Sequence, residues 1–206
     1  MTYPNSPSET LADGAVHLAG LALSIPACLL VLHQLQLSGS AVTGFATYAA
    51  SLILAFGASA LYHMSPFERP RAVLHRIDHA AIYLKIAGTY TPFVALIGTG
   101  FAYGVLAIVW ALAGLGALAK LWFWPPNARG SLALYLGMGW LAVLLIWPMA
   151  QALPGSALVL IVVGGLIYSA GTWVFAHPGM RYQNAIWHGF VLTASICFFA
   201  AVALSL

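Results

Sequence analysis

Charge is what this chain has least of. Of its 206 residues, seven are Lys or Arg and four are Asp or Glu, 5% in all. A water-soluble domain carries about 25%, so a charged aqueous surface over the whole molecule is excluded. The acids are Glu9, Asp13, Glu68 and Asp78, all in the first half of the chain. Cysteine is limited to Cys28 and Cys197. Both lie in apolar runs at a spacing that matches no zinc motif, so they read as small core residues. There is no internal repeat, no low-complexity tail and no block of like charge. The net charge of +3 calls for no nucleic-acid partner, because it reflects an asymmetry among the loops.

What is there is apolar: 62% of the residues are hydrophobic. They gather in seven runs, roughly 14–35, 41–63, 77–98, 101–123, 131–150, 155–176 and 184–206. Each is near the ~20 residues that cross a bilayer as a helix. A barrel would show short alternating strands, whereas these runs are continuous and rich in Leu, Ala, Gly and Val. The expected fold is all-α, a single domain over residues 1–206, an integral membrane bundle of seven transmembrane helices. The first residues lack the basic region of a cleavable signal peptide and carry Glu9, so the first run reads as a retained helix.

The basic residues set an expected orientation. Arg69, Arg71 and Arg76 lie between runs two and three, Lys120 and Arg129 flank the connection between four and five, and Arg181 lies between six and seven. The other connections and the C-terminus carry none. The positive-inside rule then places the N-terminus and all basic loops in the cytosol and the C-terminus outside. Loops are short, the longest being Met64–Arg76 with Pro66 and Pro70. Glycine pairs such as Gly137 and Gly139, or Gly164 and Gly165, suit close helix packing. Pro26, Pro92 and Pro148 fall inside spans and predict kinks. Trp122, Trp124 and Trp147 near span ends fit an interfacial aromatic belt.

Three polar residues stand out against this background. His63 closes the second run, Asp78 opens the third, and His188 lies one to two turns into the seventh. Alternating helix direction puts all three at the cytosolic face. By helical rise they can meet within about 10 Å of it. Ionisable side chains are costly in hydrocarbon unless paired, metal-bound or functional. Two imidazoles and a carboxylate suit Zn²⁺ with water in an open position. Asp78 would be a ligand or the general base, and Ser59, four residues before His63 on the same face, would donate a hydrogen bond to the site. The plainer alternative makes His63 and His188 interfacial histidines and Asp78 a helix-opening acid favoured by the helix dipole.

Two other readings are weaker. Gly57–Leu61 lacks the second glycine of a nucleophile elbow and lies within a span rather than after a strand. Lys85, two turns beyond Asp78 on roughly the same face, either pairs with Asp78 or snorkels to an interface. A retinal Schiff base would want its lysine on the last helix, not the third.

The segments Ser59–His63, Leu74–His79 and Ala87–Phe93, with Ile186–Val191 in the last run, resemble the hemolysin III family of the progestin and adipoQ receptor superfamily, which includes the adiponectin receptors. Asp13 to His17 resembles the family's N-terminal motif. The resemblance spans essentially the whole chain. It implies a cytosol-facing zinc site using His63 and His188, with Ser59 and Asp78 near the metal-bound water. It also implies hydrolysis of lipid amides, a role in membrane lipid homeostasis, a bacterial plasma-membrane location and, by the family's name, cytolysis. One departure bears on the site. The last-helix pattern is His-x3-His, and here Asn184 stands at the first of those metal positions. Asn is a poor zinc ligand beside imidazole, so the site is looser, or His177 or His79 completes it, or metal chemistry is lost. Lys85 is a second departure, since the family has an apolar residue there. Three functions remain open at this point: a zinc-dependent hydrolase acting on membrane lipids, a non-catalytic receptor or membrane-state sensor, and a pore-forming cytolysin. The last would need a polar stripe through the outer halves of the helices, where only scattered Thr43, Thr47, Thr99 and Gln151 are found.

Overall fold

A computed structural model describes residues 6–34, 40–124, 129–177 and 179–206, with the side chains of Ser40 and Arg129 left aside. The first five residues of the N-terminal reading, and most of the connections after helices one and four, lie outside the described residues. Among those described there is no strand, and seven helices are long and apolar enough to cross a membrane. The first is Pro7–Gln34, the second Ser40–Met64 and the third Arg71–Ile97. The fourth is Gly100–Leu118, continued by a wide turn over Ala119–Phe123. The fifth runs Arg129–Trp140, tightens over Leu141–Leu145 and resumes as Ile146–Ala152. The sixth is Gly155–Ala176 and the seventh Gln183–Ser205.

Two helices begin earlier than the apolar runs suggest. The first opens on a capping box: the Ser6 amide donates to Glu9 Oε2 at 3.0 Å, and the Glu9 amide points back to Ser6 Oγ at 3.4 Å. Pro7 occupies the first helical position, where its missing N–H costs nothing. The third helix begins after Pro70, which leaves Arg71, His75 and Arg76 on the helix instead of in a loop. Asp13 and Asp78 are therefore each about two turns inside their helices and buried, at 2% and 6% exposure. Asp78 is not an exposed helix-opening acid.

Local chemistry explains the irregular stretches. Pro148 cannot donate to the carbonyl four residues back, and its ring crowds that turn. The chain tightens over Leu141–Leu145 just before it. At the end of helix four, the Trp124 amide reaches back to Ala119. Terminal carbonyls freed there accept from Arg76, whose Nη1 donates to Leu121 O at 2.7 Å. That bond ties helix four to helix three.

The third helix is the most enclosed of the seven. Small residues let its neighbours approach. A Cβ built on Gly88 would meet the Ser51 side chain of helix two, and one on Gly116 of helix four would meet the Tyr83 ring of helix three. Gly171 lies against Phe190, joining helices six and seven. Tyr83 shares a hydrogen bond with Ser131 at 3.0 Å, and Tyr90 donates to Met138 O at 2.7 Å, so the third helix also holds the fifth. Such packing and interhelical bonding replace the hydrophobic effect within a bilayer. Large apolar side chains face outward: Leu18 is 70% and Trp147 75% exposed. This inversion of the soluble pattern is what a lipid-facing surface requires.

Candidate metal centre

Five ionisable side chains from four helices meet near the end of the bundle that bears the basic residues. Helix one brings Asp13 and His17, four residues apart on one face. Helix two brings His63, helix three Asp78 and helix seven His188. Asp13 is the hub. Its Oδ1 lies 2.6 Å from His188 Nδ1 and its Oδ2 3.1 Å from His63 Nδ1. His63 is held between two carboxylates, with its Nε2 3.8 Å from Asp78 Oδ2. The His17 and His188 ring centroids are 4.4 Å apart, and those of His63 and His188 4.7 Å. Ligand atoms of Asp13, His63 and His188 all lie within 4.8 Å of one another.

Ser59 sits inside this cluster. Its hydroxyl oxygen is 2.9 Å from His17 Nε2 and 3.4 Å from His188 Nε2. The other nitrogen of His17 faces the Asp13 carbonyl at 2.8 Å. A carbonyl only accepts, so His17 Nδ1 carries the proton and Nε2 is an acceptor. With His188 Nδ1–H donating to Asp13, His188 Nε2 is an acceptor as well. One serine proton then faces two ring nitrogens. Such an excess of lone pairs over protons is relieved by a cation.

The donor set fits that cation. One carboxylate oxygen and two imidazoles from three helices match the three-ligand pattern of catalytic zinc, which leaves a coordination position open. The third candidate ligand is Asp13, from the first helix. Asn184 lies one turn toward the basic end from His188 and lines a polar recess with Glu9, Arg181 and Tyr182. His177 is exposed, with its Nδ1 on Trp173 O, and His79 packs against His75 at 4.1 Å. Neither completes the cluster. Asp78 touches it through His63.

Asp13 escaped residue-by-residue reasoning because its helix starts before the apolar run does, whereas His17 lies inside that run and carries no partner signal of its own. The Ser6–Pro7–Glu9 capping signal was the available clue. Lys85 neither pairs with Asp78 nor snorkels. It is buried, donates to Ser195 Oγ at 2.7 Å, and lies over the Phe56 and Tyr168 rings.

Fold and site together define a multi-pass membrane protein with a buried Asp–His–His cluster, able to hold a metal ion, near one end of a seven-helix bundle. The family described as Haemolysin-III related matches residues 6–199. The chain belongs to that family. It is 36% identical over 198 residues to "Hemolysin-3 homolog" of Bacillus subtilis, covering 94% of this chain and 92% of the relative. It is 36% identical to "Hemolysin-3" of Bacillus cereus, covering 94% and 90%. The human protein "Monocyte to macrophage differentiation factor" is 28% identical over 162 residues, covering 75% of this chain and 67% of the relative.

Proposed function

We propose that this protein is a membrane-embedded, zinc-dependent hydrolase acting on a lipid amide in membrane lipid homeostasis. Its site faces the cytosol from a bacterial plasma membrane. The observation that carries the reading is the convergence of Asp13, His63 and His188 within 4.8 Å inside the bundle. Asp13 offsets the Asn184 departure, because it offers an anionic oxygen where an imidazole is missing. The positive-inside pattern of Arg69, Arg71, Arg76 and Arg181 supports the cytosolic placement of this end.

Zn²⁺ held there supplies Lewis acidity toward a carbonyl and toward water. The protein's own residues do the rest. Asp13 supplies the anionic member of the ligand set from its place between the two imidazoles. Asp78, beside His63 and Ser59, is placed to accept the proton of the attacking water and return it to the departing amine. His17 Nε2 accepts the Ser59 proton and so fixes that hydroxyl, leaving its oxygen to accept from the attacking water. The cluster's low exposure excludes bulk water and strengthens these interactions.

The test is metal content of the purified protein by mass spectrometry, with release of free acid and amine from a lipid amide in liposomes. Near-stoichiometric zinc and turnover, both lost in His63→Ala, are expected. Absence of metal together with absence of turnover after zinc loading would sink the reading.

A further inference from the structure

Two turns deeper than the ion cluster lies a second polar layer made of a single cation. Lys85 follows Asp78 by seven residues on helix three, and Ser195 follows His188 by seven on helix seven, a step of roughly 10 Å in each case. Lys85 is 6% exposed. Its ammonium is held by Ser195 Oγ and two aromatic faces, none of which is negative. The four acids of the chain are engaged or placed elsewhere. Asp13 and Asp78 are committed to imidazoles, Glu9 accepts from the Tyr182 amide at 3.0 Å, and Glu68 is exposed beyond the helix end. Among the described residues no acid lies within ion-pair distance of Lys85. An uncompensated buried charge is expensive.

The same lysine lines a cavity of about 350 Å³ between helices three, five and six. Tyr135 and Tyr168 flank its Lys85 end, and Met149 and Leu158 lie toward the opposite face. On helix six the lining runs from Leu158 to Ser169, roughly 16 Å by helical rise. Trp140 and Leu166, at its rim, are exposed on the lipid-facing surface, so the cavity communicates sideways with the bilayer. None of its lining residues belongs to the Asp13–His63–His188 cluster. An elongated apolar chamber with one basic amine at its end has the complementarity of a single-chain amphiphile with an anionic head.

We propose that this cavity is a binding site for a single-chain anionic amphiphile drawn laterally from the bilayer, its head group paired with Lys85 and its tail directed away from the metal cluster. The site is independent of the hydrolase reading.

The experiment is saturation binding of radiolabelled dodecanoate to the full-length protein in a non-ionic detergent, with unlabelled dodecanol as the uncharged competitor of equal length. Lys85→Met, Lys85→Arg and His63→Ala are measured beside the unmodified protein. Saturable binding of one dodecanoate per chain, weak competition by dodecanol, and at least about tenfold weaker binding in Lys85→Met are expected. Lys85→Met removes a buried charge at nearly constant volume and should fold. Lys85→Arg keeps most of the affinity, and His63→Ala leaves it unchanged. Equal competition by dodecanol, or equal affinity in Lys85→Met, overturns the proposal. Loss of binding in His63→Ala overturns its independence from the metal cluster. Dodecyl phosphate competing as well as dodecanoate would identify the recognised feature as the charge, and its failure would narrow the ligand to a carboxylate.

Discussion

Asp13→Asn is the most incisive perturbation of the cluster. It changes one atom's chemistry and almost no volume. In the native site each carboxylate oxygen serves a different imidazole, His188 at 2.6 Å and His63 at 3.1 Å. The substitution turns one oxygen into an amide nitrogen, which donates only and faces a ring nitrogen that was donating. It also removes the negative charge that offsets a divalent ion. Losing a group that merely orients a ligating histidine costs about 10–100-fold in metal affinity, or about 1.4–2.8 kcal/mol. Losing a direct ligand costs more. Competition against a chromophoric zinc chelator, with metal content by mass spectrometry, should show at least about tenfold weaker binding. An Asp13→Asn protein that folds and holds zinc as tightly as the native one would refute the assignment of Asp13 to the site.

Three further outcomes follow from the geometry. Ser59→Ala should retain zinc while turnover of a lipid amide falls about 10–100-fold, since the hydroxyl lies beside the ligands and is not one of them; metal loss in this variant would make Ser59 part of the coordination sphere. Gly88→Ala should destabilise the helix two–three contact by about 1–3 kcal/mol, because the new Cβ would clash with Ser51 Oγ, itself bonded to Tyr48 O; Gly57→Ala, with nothing within 4 Å, should be nearly neutral, and thermal unfolding in mild detergent separates the two. Glu9→Ala removes both the capping box of helix one and the acceptor of the Tyr182 amide; hydrogen exchange at Tyr182 and proteolysis between helices six and seven should quicken, and unchanged exchange would show that the tie is dispensable.

Much of the fold follows from composition and period. Seven continuous apolar runs with charge, Lys85 apart, confined to their ends admit little but seven spanning helices, because a bilayer offers no partner for unpaired backbone groups. His63, Asp78, His188 and Ser59 were legible for the same reason: polar groups in hydrocarbon stand out, and alternating helix direction sorts them to one end. Helix starts were less legible, because the first turns of helices one and three are polar and carry their signals in Ser6, Pro7, Glu9 and Pro70 rather than in hydrophobicity. The fate of individual side chains was not legible at all. Sequence spacing places residues along one helix and says nothing of which neighbours face each other across the bundle. Only helix packing brought Asp13 between His63 and His188, turned Asn184 into a separate recess, and set Lys85 against Ser195 and an apolar cavity instead of Asp78. The sequence by itself determined that the chain crosses the membrane seven times with its ionisable groups near one end. The tertiary structure alone decided which of those groups share a site, because that depends on the rotation and approach of helices joined only through space.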